Sequence, residues 1–336
     1  MREELLNVIR EQVVAQLIEQ SPWITEDEIE SEALAFRDWA SGYGPFTQII
    51  ENEPFTDLFI NGSQSAWINR GAGLEPYALF TPEQTLINYI RAQALKSGKL
   101  FDQGHASVDL ELGSGIRLHA LLPPLIEGGI HISLRINQQQ AVIQKDVQLE
   151  RIIELVINER KNILISGGTG SGKTTLLSYL IEQVAINERI LVIEDTHEIT
   201  ASHPHLLRLQ GREANSEGIG AISIRQLIRQ ALRMKPDRIF LGEVRGADVL
   251  DLFLALNTGH AGSGATIHAN SPRDIPNRIA ALAMTAGITR ESALALFASA
   301  IDLIIHLDGG LAGNRIAAIS EVTADHDHIE IVEISP

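Results

Sequence analysis

The segment that most constrains the fold of this chain is GGTGSGKT, at residues 167–174, which fits the pattern G-x-x-x-x-G-K-[ST]. The apolar stretch NILIS stands directly before it, and the helical stretch TLLSYLIEQV follows it. A strand that leads into a glycine-rich loop and leaves as a helix is the setting in which this pattern binds phosphate. The segment therefore predicts an α/β domain with an anion site at the end of a strand.

The residues of the predicted loop have distinct roles. Glycines let successive backbone N–H groups turn towards a phosphate, and the N-terminus of the following helix adds partial positive charge. We expect Lys173 to reach the β- and γ-phosphates of ATP and the Thr174 hydroxyl to bind Mg²⁺. The predicted nucleotide-binding residues are Gly167, Gly168, Thr169, Gly170, Ser171, Gly172, Lys173, Thr174 and Thr175.

The sequence around the loop alternates apolar strands with helices. The predicted strands are NILISG, RILVIED, RIFLGE and GATIHA, and helices are predicted from Lys173, after Ser223 and after Ala247. This alternation is typical of a mainly parallel sheet flanked by helices. The polar segment NQQQAVIQKDVQ is the predicted linker, at 137–148, which places the loop in a C-terminal domain at 149–336.

The chain before the linker has a different pattern. Residues 1–40 are predicted to form a helical N-terminal extension, whose second helix starts with Thr25 as N-cap and Glu28 three residues on. TDLFING and SAWINRG then predict a β-hairpin, followed by a helix from Pro82 to Gly98. The segments ASVDLEL, GIRLHALLPP and IHISLRI predict further strands. Residues 41–136 are therefore a predicted smaller α/β domain.

Composition narrows the possible partners. The chain has 27 Lys and Arg against 43 Asp and Glu, a net charge of −16, and an acidic surface repels phosphate backbones. We therefore expect no bulk nucleic acid partner. The absence of cysteine excludes disulfides and cysteine-ligated metal sites. No apolar run approaches the roughly 20 residues that span a bilayer, so no integral membrane segment is expected.

Carboxylates follow two predicted strands. Glu194, Asp195 and Glu198 lie at and just after the end of the predicted strand in RILVIEDTHEIT. Glu243 lies at the end of the predicted strand in DRIFLGEV. Because ligands bind at the carboxyl ends of parallel strands, these side chains are expected near the phosphate loop. Glu198 could then face a water beside the γ-phosphate. Mg²⁺ often needs only one or two protein ligands, so Thr174 with Glu194, Asp195 or Glu243, through water, could hold it. A solvated acidic turn is the alternative.

Two neighbours of Glu243 leave questions open. Gly242 stands directly before it, where a nucleotide-hydrolysing strand usually carries an aspartate, and glycine supplies no metal ligand. Arg245 either contacts phosphate or pairs with an acidic neighbour. The strand alone therefore does not distinguish a catalytic site from a scaffold.

Histidines and arginines complete the candidate residues. His260 and His268 are eight residues apart in NTGHAGSGATIHANSPRD, without HExxH spacing or an evident third metal ligand. His268 is expected to hydrogen-bond a phosphate or an acidic turn, or else to be a buried histidine satisfied locally. Arg117 and Arg135 lie on predicted strands of the N-terminal domain. They either pair with carboxylates or stabilise charge on a transferred phosphoryl group.

Four motifs, in this order, resemble the type II/IV secretion traffic ATPases: GGTGSGKTT, IEDTHE, RMKPDRIFLGEVRG and NTGHAGSGATIHANSPRD. They correspond to the family's Walker A motif, Asp box, atypical Walker B motif and His box, and the similarity runs from about residue 110 to 310. The resemblance implies a RecA-like P-loop NTPase C-terminal domain, a smaller PAS-like α/β N-terminal domain, and a hexameric ring that uses ATP and Mg²⁺.

The resemblance also implies residue roles. Glu198 positions the attacking water, Glu243 takes the Walker B role, and His268 links the γ-phosphate site to subunit movement. Arg117 and Arg135 match arginines of the N-terminal domain that approach the γ-phosphate when the two domains close. Lys173 and Thr174 hold phosphate and magnesium.

Within the family, GSGIRLHALLPPLIEGGIHISLRI and LRMKPDRIFLGEVRGADVLDLFLALNTGH look closest to the tight-adherence (Flp) pilus assembly and conjugal-transfer ATPases. The branch with a four-cysteine zinc motif does not fit a chain without cysteine. Ala261 stands where relatives often carry an acidic residue.

We therefore expect a cytoplasmic ATPase that powers pilus assembly or secretion at the inner membrane. Its expected partners are copies of itself and inner-membrane platform or secretion-channel proteins. A nucleic-acid motor and a nucleotide-gated structural ring with little turnover are the alternatives.

Overall fold

The structure is a computed structural model that describes residues 25, 42–62, 65–71, 73–78, 81–113, 115–136, 146–215, 217–310, 313–325 and 328–334. It divides into two compact units, one within residues 1–138 and the other within 139–336. Apart from Thr25, the predicted helical extension at 1–40 lies outside the described residues. No helix in the described ranges is long and apolar enough to cross a membrane.

The first unit contains a six-stranded antiparallel sheet with the order β3-β2-β1-β6-β5-β4. Its strands are β1 (Asp57–Asn61), β2 (Ser65–Asn69), β3 (Leu74–Tyr77), β4 (Ser107–Glu111), β5 (Ile116–Leu121) and β6 (His131–Ile136). Helices α1 (Thr47–Asn52) and α2 (Glu83–Lys96) contribute to its core. The predicted hairpin is confirmed as β1 and β2. Strand β3 was not predicted, because Pro76 interrupts its pattern; proline is tolerated there because β3 is an edge strand.

The two faces of this sheet differ, because successive side chains of a strand point to opposite sides. One face supplies alternate apolar residues such as Leu58, Leu118 and Leu134 to the core. The other face carries polar residues in rows across the strands. In one row, Asp57 of β1 stands opposite Arg135 of β6, and Arg135 stands opposite Arg117 of β5.

The second unit contains an eight-stranded sheet with the order β14-β13-β12-β7-β11-β10-β8-β9. Its strands are β7 (Ile163–Gly167), β8 (Ile190–Glu194), β9 (Leu206–Gln210), β10 (Arg238–Val244), β11 (Gly264–His268), β12 (Leu303–Gly310), β13 (Gly313–Asp325) and β14 (His328–Glu333). The strands from β12 to β9 are parallel, as the alternation predicts, and β13 and β14 are antiparallel additions.

Helices cover both faces of this sheet, which explains why its central strands are apolar throughout. The helices are α3 (Val147–Ile153), α4 (Lys173–Glu182), α5 (Ile224–Arg233), α6 (Asp248–Leu256), α7 (Ile275–Met284) and α8 (Arg290–Ala300). One core contains residues of α3 and α4, and the other contains residues of α5 to α8.

The helix starts follow from local capping. Ser223 caps α5 with a capping box to Gln226. Asp146 caps α3 by accepting a hydrogen bond from the backbone N–H of Leu149 at 2.9 Å. Helix α3 therefore begins at Val147, inside the segment predicted as linker.

Candidate nucleotide site

The phosphate loop connects the end of β7 to the start of α4. Gly170 and Gly172 have φ angles of 74° and 87°, in the left-handed region that favours glycine. A Cβ atom on Gly167 would collide with the carbonyl oxygen of Leu307 in the adjacent strand and with Ser171 Oγ. The glycines are therefore required by backbone conformation and by close packing, and they leave an exposed loop tip at Gly168–Gly170.

Lys173 is the charged residue at the centre of the site. Its side chain is buried, and Nζ donates to the carbonyl oxygens of Gly167 and Gly168 at 3.1 and 2.5 Å. Burial lowers the pKa of Lys173, while the negative charges of Glu243 and Glu198 act in the opposite direction. The ammonium group is thus hydrogen-bonded to the loop backbone, and two carboxylates are close enough to raise its pKa.

The turn after β8 brings Glu198 to the loop. Glu194, at the end of β8, is buried, and its Oε1 accepts hydrogen bonds from the backbone N–H groups of Glu198 and Ile199 at 2.9 and 2.8 Å. Burial raises the pKa of Glu194, and these hydrogen bonds oppose that shift. The turn places Glu198 Oε2 at 3.4 Å from Thr174 Oγ1, the predicted magnesium ligand. Glu194 is therefore engaged in building the turn, and Asp195 beside it is exposed.

The packing around Gly242 explains why β10 carries a glycine, and not an aspartate, before Glu243. A Cβ atom on Gly242 would lie 2.9 Å from Glu194 Cγ, so the Glu194 side chain occupies the space that a larger residue would need. The carbonyl oxygen of Gly242 also accepts a hydrogen bond from Thr266 Oγ1 at 2.5 Å. The carboxylate beside this strand therefore comes from the neighbouring strand β8.

Glu243 and His268 connect the strand ends to Lys173. Glu243 Oε1 lies 3.1 Å from His268 Nε2, and Glu243 Oε2 accepts from Arg245 Nε at 2.8 Å. His268 Nδ1 lies 3.3 Å from Lys173 Nζ. Burial and the charge of Lys173 lower the pKa of His268, which favours the neutral ring. A neutral ring can accept from Lys173 at Nδ1 and donate from Nε2 to Glu243. Arg245 is thus paired with an acidic neighbour.

His260 lies at the other end of β11 from His268. Its Nδ1 is 2.9 Å from the carbonyl oxygen of Ala255, and its own carbonyl accepts from Ser263 Oγ at 2.6 Å. Because His260 precedes β11 and His268 is the last residue of that strand, the two histidines do not form a common site. Within the described ranges, no three His, Cys, Asp or Glu residues cluster as metal ligands.

Arg117 and Arg135 belong to the first unit. They are cross-strand partners on the polar face of its sheet, and Arg135 Nε donates to Asp57 Oδ1 at 2.8 Å. The Arg135 side chain is 59% exposed. Their approach to the γ-phosphate stays a prediction.

The sequence analysis missed two polar residues beneath the loop. Ser166 directly precedes the loop, and its Oγ lies 2.8 Å from Nδ1 of His306 on β12. The signal in the sequence was a histidine inside the apolar stretch IDLIIHL. That stretch was not assigned to a strand.

The chain is similar to known proteins along most of its length. Residues 93–312 match the family described as type II/IV secretion system protein. A protein of Mycobacterium tuberculosis strain H37Rv that is named for conjugal transfer is 36% identical over 310 residues, 88% of each chain. The conjugal transfer protein TrbB of Rhizobium radiobacter is 29% identical over 287 residues, 81% of this chain and 85% of that protein.

Two solved structures share the fold. The structure of the pilus retraction motor PilT with bound ADP has a TM-score of 0.55 and 24% identity, and covers 79% of this chain and 78% of its own. The ATPase DotB of Legionella pneumophila has a TM-score of 0.54 and 21% identity, with coverages of 88% and 81%. The family match across residues 93–312 and a 36% identical relative over 88% of the length together show that this chain belongs to the type II/IV secretion system protein family.

Proposed function

We propose that this chain hydrolyses ATP with Mg²⁺ in a ring-shaped oligomer, and that the energy drives pilus assembly or type II/IV secretion at the inner membrane. The observation that carries the chemistry is the convergence of two glutamates on one phosphate loop. Glu198 approaches Thr174 from the turn after β8, and Glu243 of β10 is connected to Lys173 through His268. Hydrolysis needs both a held phosphate and a positioned water, and this edge of the sheet supplies groups for each.

The residues present fit a magnesium nucleotide. Thr174 and Glu198 offer a hydroxyl and a carboxylate 3.4 Å apart, and oxygen ligands are those that Mg²⁺ prefers. Thr174 would bind the ion directly, and Glu194, Asp195 or Glu243 would act through water. The bound ion would neutralise charge on the β- and γ-phosphates. Lys173 would exchange its contacts with the loop carbonyls for phosphate oxygens.

Glu198 is the residue that we assign to the attacking water. It lies beside Thr174, on the side where the metal and the γ-phosphate are expected. Glu243 has each oxygen engaged by another side chain, His268 at 3.1 Å and Arg245 at 2.8 Å. We therefore assign Glu243 to holding His268 against Lys173, so that it positions the loop.

The ring and its movement rest on the family resemblance. We propose a hexamer with a RecA-like C-terminal domain and a PAS-like N-terminal domain, placed at the cytoplasmic side of the inner membrane by platform or channel proteins. Loss of the γ-phosphate on hydrolysis would shift the population between two domain arrangements. Arg117 and Arg135 would contact the γ-phosphate in one of them.

Phosphate release by the purified full-length oligomer tests the proposed activity. We expect Mg²⁺-dependent hydrolysis in the native chain and none in Lys173→Ala, because the variant lacks the cation that meets the phosphates. Size-exclusion chromatography with light scattering confirms that both samples have the same oligomeric state. Hydrolysis that survives undiminished in Lys173→Ala would contradict the assignment of the loop.

A further inference from the structure

Two polar side chains lie beneath the phosphate loop, inside otherwise apolar strands. Ser166 and His306 are register partners on β7 and β12, and the two residues are 0% and 5% exposed. Leu164 of β7 packs into the core that contains residues of α5 to α8, whereas Ile165 packs with α4. Because side chains alternate along a strand, Ser166 lies on the face opposite α4.

The imidazole of His306 links β12 to Ser166 of β7. Its Nδ1 is 2.8 Å from Ser166 Oγ. In a neutral ring that carries its proton on Nε2, Nδ1 can accept the hydroxyl proton of Ser166. The backbone of Asn270 raises the pKa of His306. Burial lowers the pKa of His306 and favours this neutral form.

The charged groups around the ring come from four elements. Asp308 Oδ1 of β12 lies 3.8 Å from Nε2, and Arg315 of β13 pairs with the other oxygen of Asp308 at 3.2 Å. Asp274, before α7, favours protonation of the ring, and Lys173 of α4 opposes it. Burial is the largest of these effects, so the neutral bridge is the form expected near neutral pH.

The phosphate loop therefore has a histidine contact on each face of the sheet. On the α4 face, His268 Nδ1 lies 3.3 Å from Lys173 Nζ. On the other face, His306 Nδ1 lies 2.8 Å from Oγ of Ser166, which directly precedes Gly167. The second contact contains no residue assigned to the nucleotide.

We propose that His306 is a positioning residue for ATP hydrolysis, which bridges β12 to Ser166 and thereby holds the start of the phosphate loop in place. The inference rests on the proposed function of the loop. Because His306 contacts the residue that precedes the loop, on the face opposite α4, its loss should affect the alignment needed in the transition state more than the binding of ATP. Small misplacements of reacting groups lower rates steeply.

Four variants of the full-length protein test the bridge: His306→Phe, His306→Asn, Ser166→Ala and the double variant Ser166→Ala with His306→Asn. Phenylalanine fills the volume without hydrogen bonds, whereas the asparagine amide stands where Nδ1 does. We expect His306→Phe to lower kcat on the order of tenfold. The KM for ATP should change by less than about threefold. His306→Asn should recover part of kcat, and Ser166→Ala should abolish that recovery.

The controls separate failure of this inference from failure of the proposed function. Circular dichroism at the assay temperature verifies that each variant is folded, and Lys173→Ala is assayed in parallel. If the native chain hydrolyses ATP and Lys173→Ala does not, the proposed function stands. Native kcat in His306→Phe, or equal loss in His306→Phe and His306→Asn, would then overturn the bridge alone.

Discussion

Glu194 of β8 packs its Cγ atom against Gly242 of β10. A Cβ atom on Gly242 would lie only 2.9 Å from that Cγ. The same Glu194 side chain holds the turn that presents Glu198 to Thr174. A glycine where an aspartate is usual is therefore a steric requirement of a carboxylate supplied by the next strand.

We predict that Gly242→Ala lowers both stability and ATPase activity, because the added methyl group must displace the Glu194 side chain. Overpacking of this kind costs about 1–3 kcal/mol in unfolding free energy. Urea unfolding and phosphate release measure the two effects. In a Glu194→Ala background the same substitution should cost much less, and an unchanged cost would show that the two residues are independent.

We predict that Glu198→Gln still binds ATP and hydrolyses it slowly, with kcat reduced on the order of 10²- to 10⁴-fold, the usual contribution of a general base. A fluorescent ATP analogue measures binding, and single-turnover phosphate release measures the chemical step. Glu243→Gln is the matched variant on the adjacent strand. It should disturb the His268 and Lys173 contacts and keep measurable turnover. The reverse ranking would transfer the attacking water to Glu243.

We predict that His306 contributes to acid destabilisation. Burial lowers its pKa in the folded state, whereas the ordinary value is about 6.5, so the unfolded chain takes up this proton first as pH falls. Its contribution to stability is therefore complete above about pH 6.5 and declines as pH falls towards the lower folded-state pKa.

The measurement is the unfolding free energy of the native chain and of His306→Gln between pH 7.5 and about 5. The difference between the two curves should change as the pH falls below about 6.5. His105→Gln, at an exposed position of the first unit, is the control. Parallel curves for the native chain and His306→Gln would contradict the prediction.

A buried ion pair at the amino ends of the parallel strands gives a prediction about stability and not about catalysis. Arg238 is 1% exposed; its guanidinium donates to Glu188 at 2.8 Å and to the carbonyl oxygens of Val156, Ile157 and Gly262. We predict that Glu188→Ala destabilises the fold by about 3–5 kcal/mol, because it leaves a buried charge without its partner.

Thermal or urea unfolding measures this loss, and ATP affinity at a temperature where the variant is folded should be close to native. Arg225→Ala removes an ion pair with Asp251 in which the arginine is 56% exposed, and serves as control. Such surface pairs contribute about 0–1 kcal/mol. Equal losses in the two variants would contradict the importance of burial at Arg238.

Much of this protein could be predicted from local patterns. Continuous apolar runs identified β7, β8 and β10, because strands covered on both faces have no polar side. The helix predicted after Ser223 is α5, which begins at Ile224, and the spacing of glycines identified the loop. Other elements were not predicted. Strand β9 has no buried residue and lies at the edge of the sheet, and no recognised turn signal precedes β12, β13 or β14.

The sequence by itself determined the phosphate loop, the parallel sheet around it and the family, since each depends on residues that are close together in the chain. Only the tertiary structure decided that Glu194 fills the place beside Gly242, that Arg245 pairs with Glu243, and that His306 contacts Ser166. The physical reason is that most of these contacts join different strands, and their distances depend on strand order and register, which a single sequence does not specify.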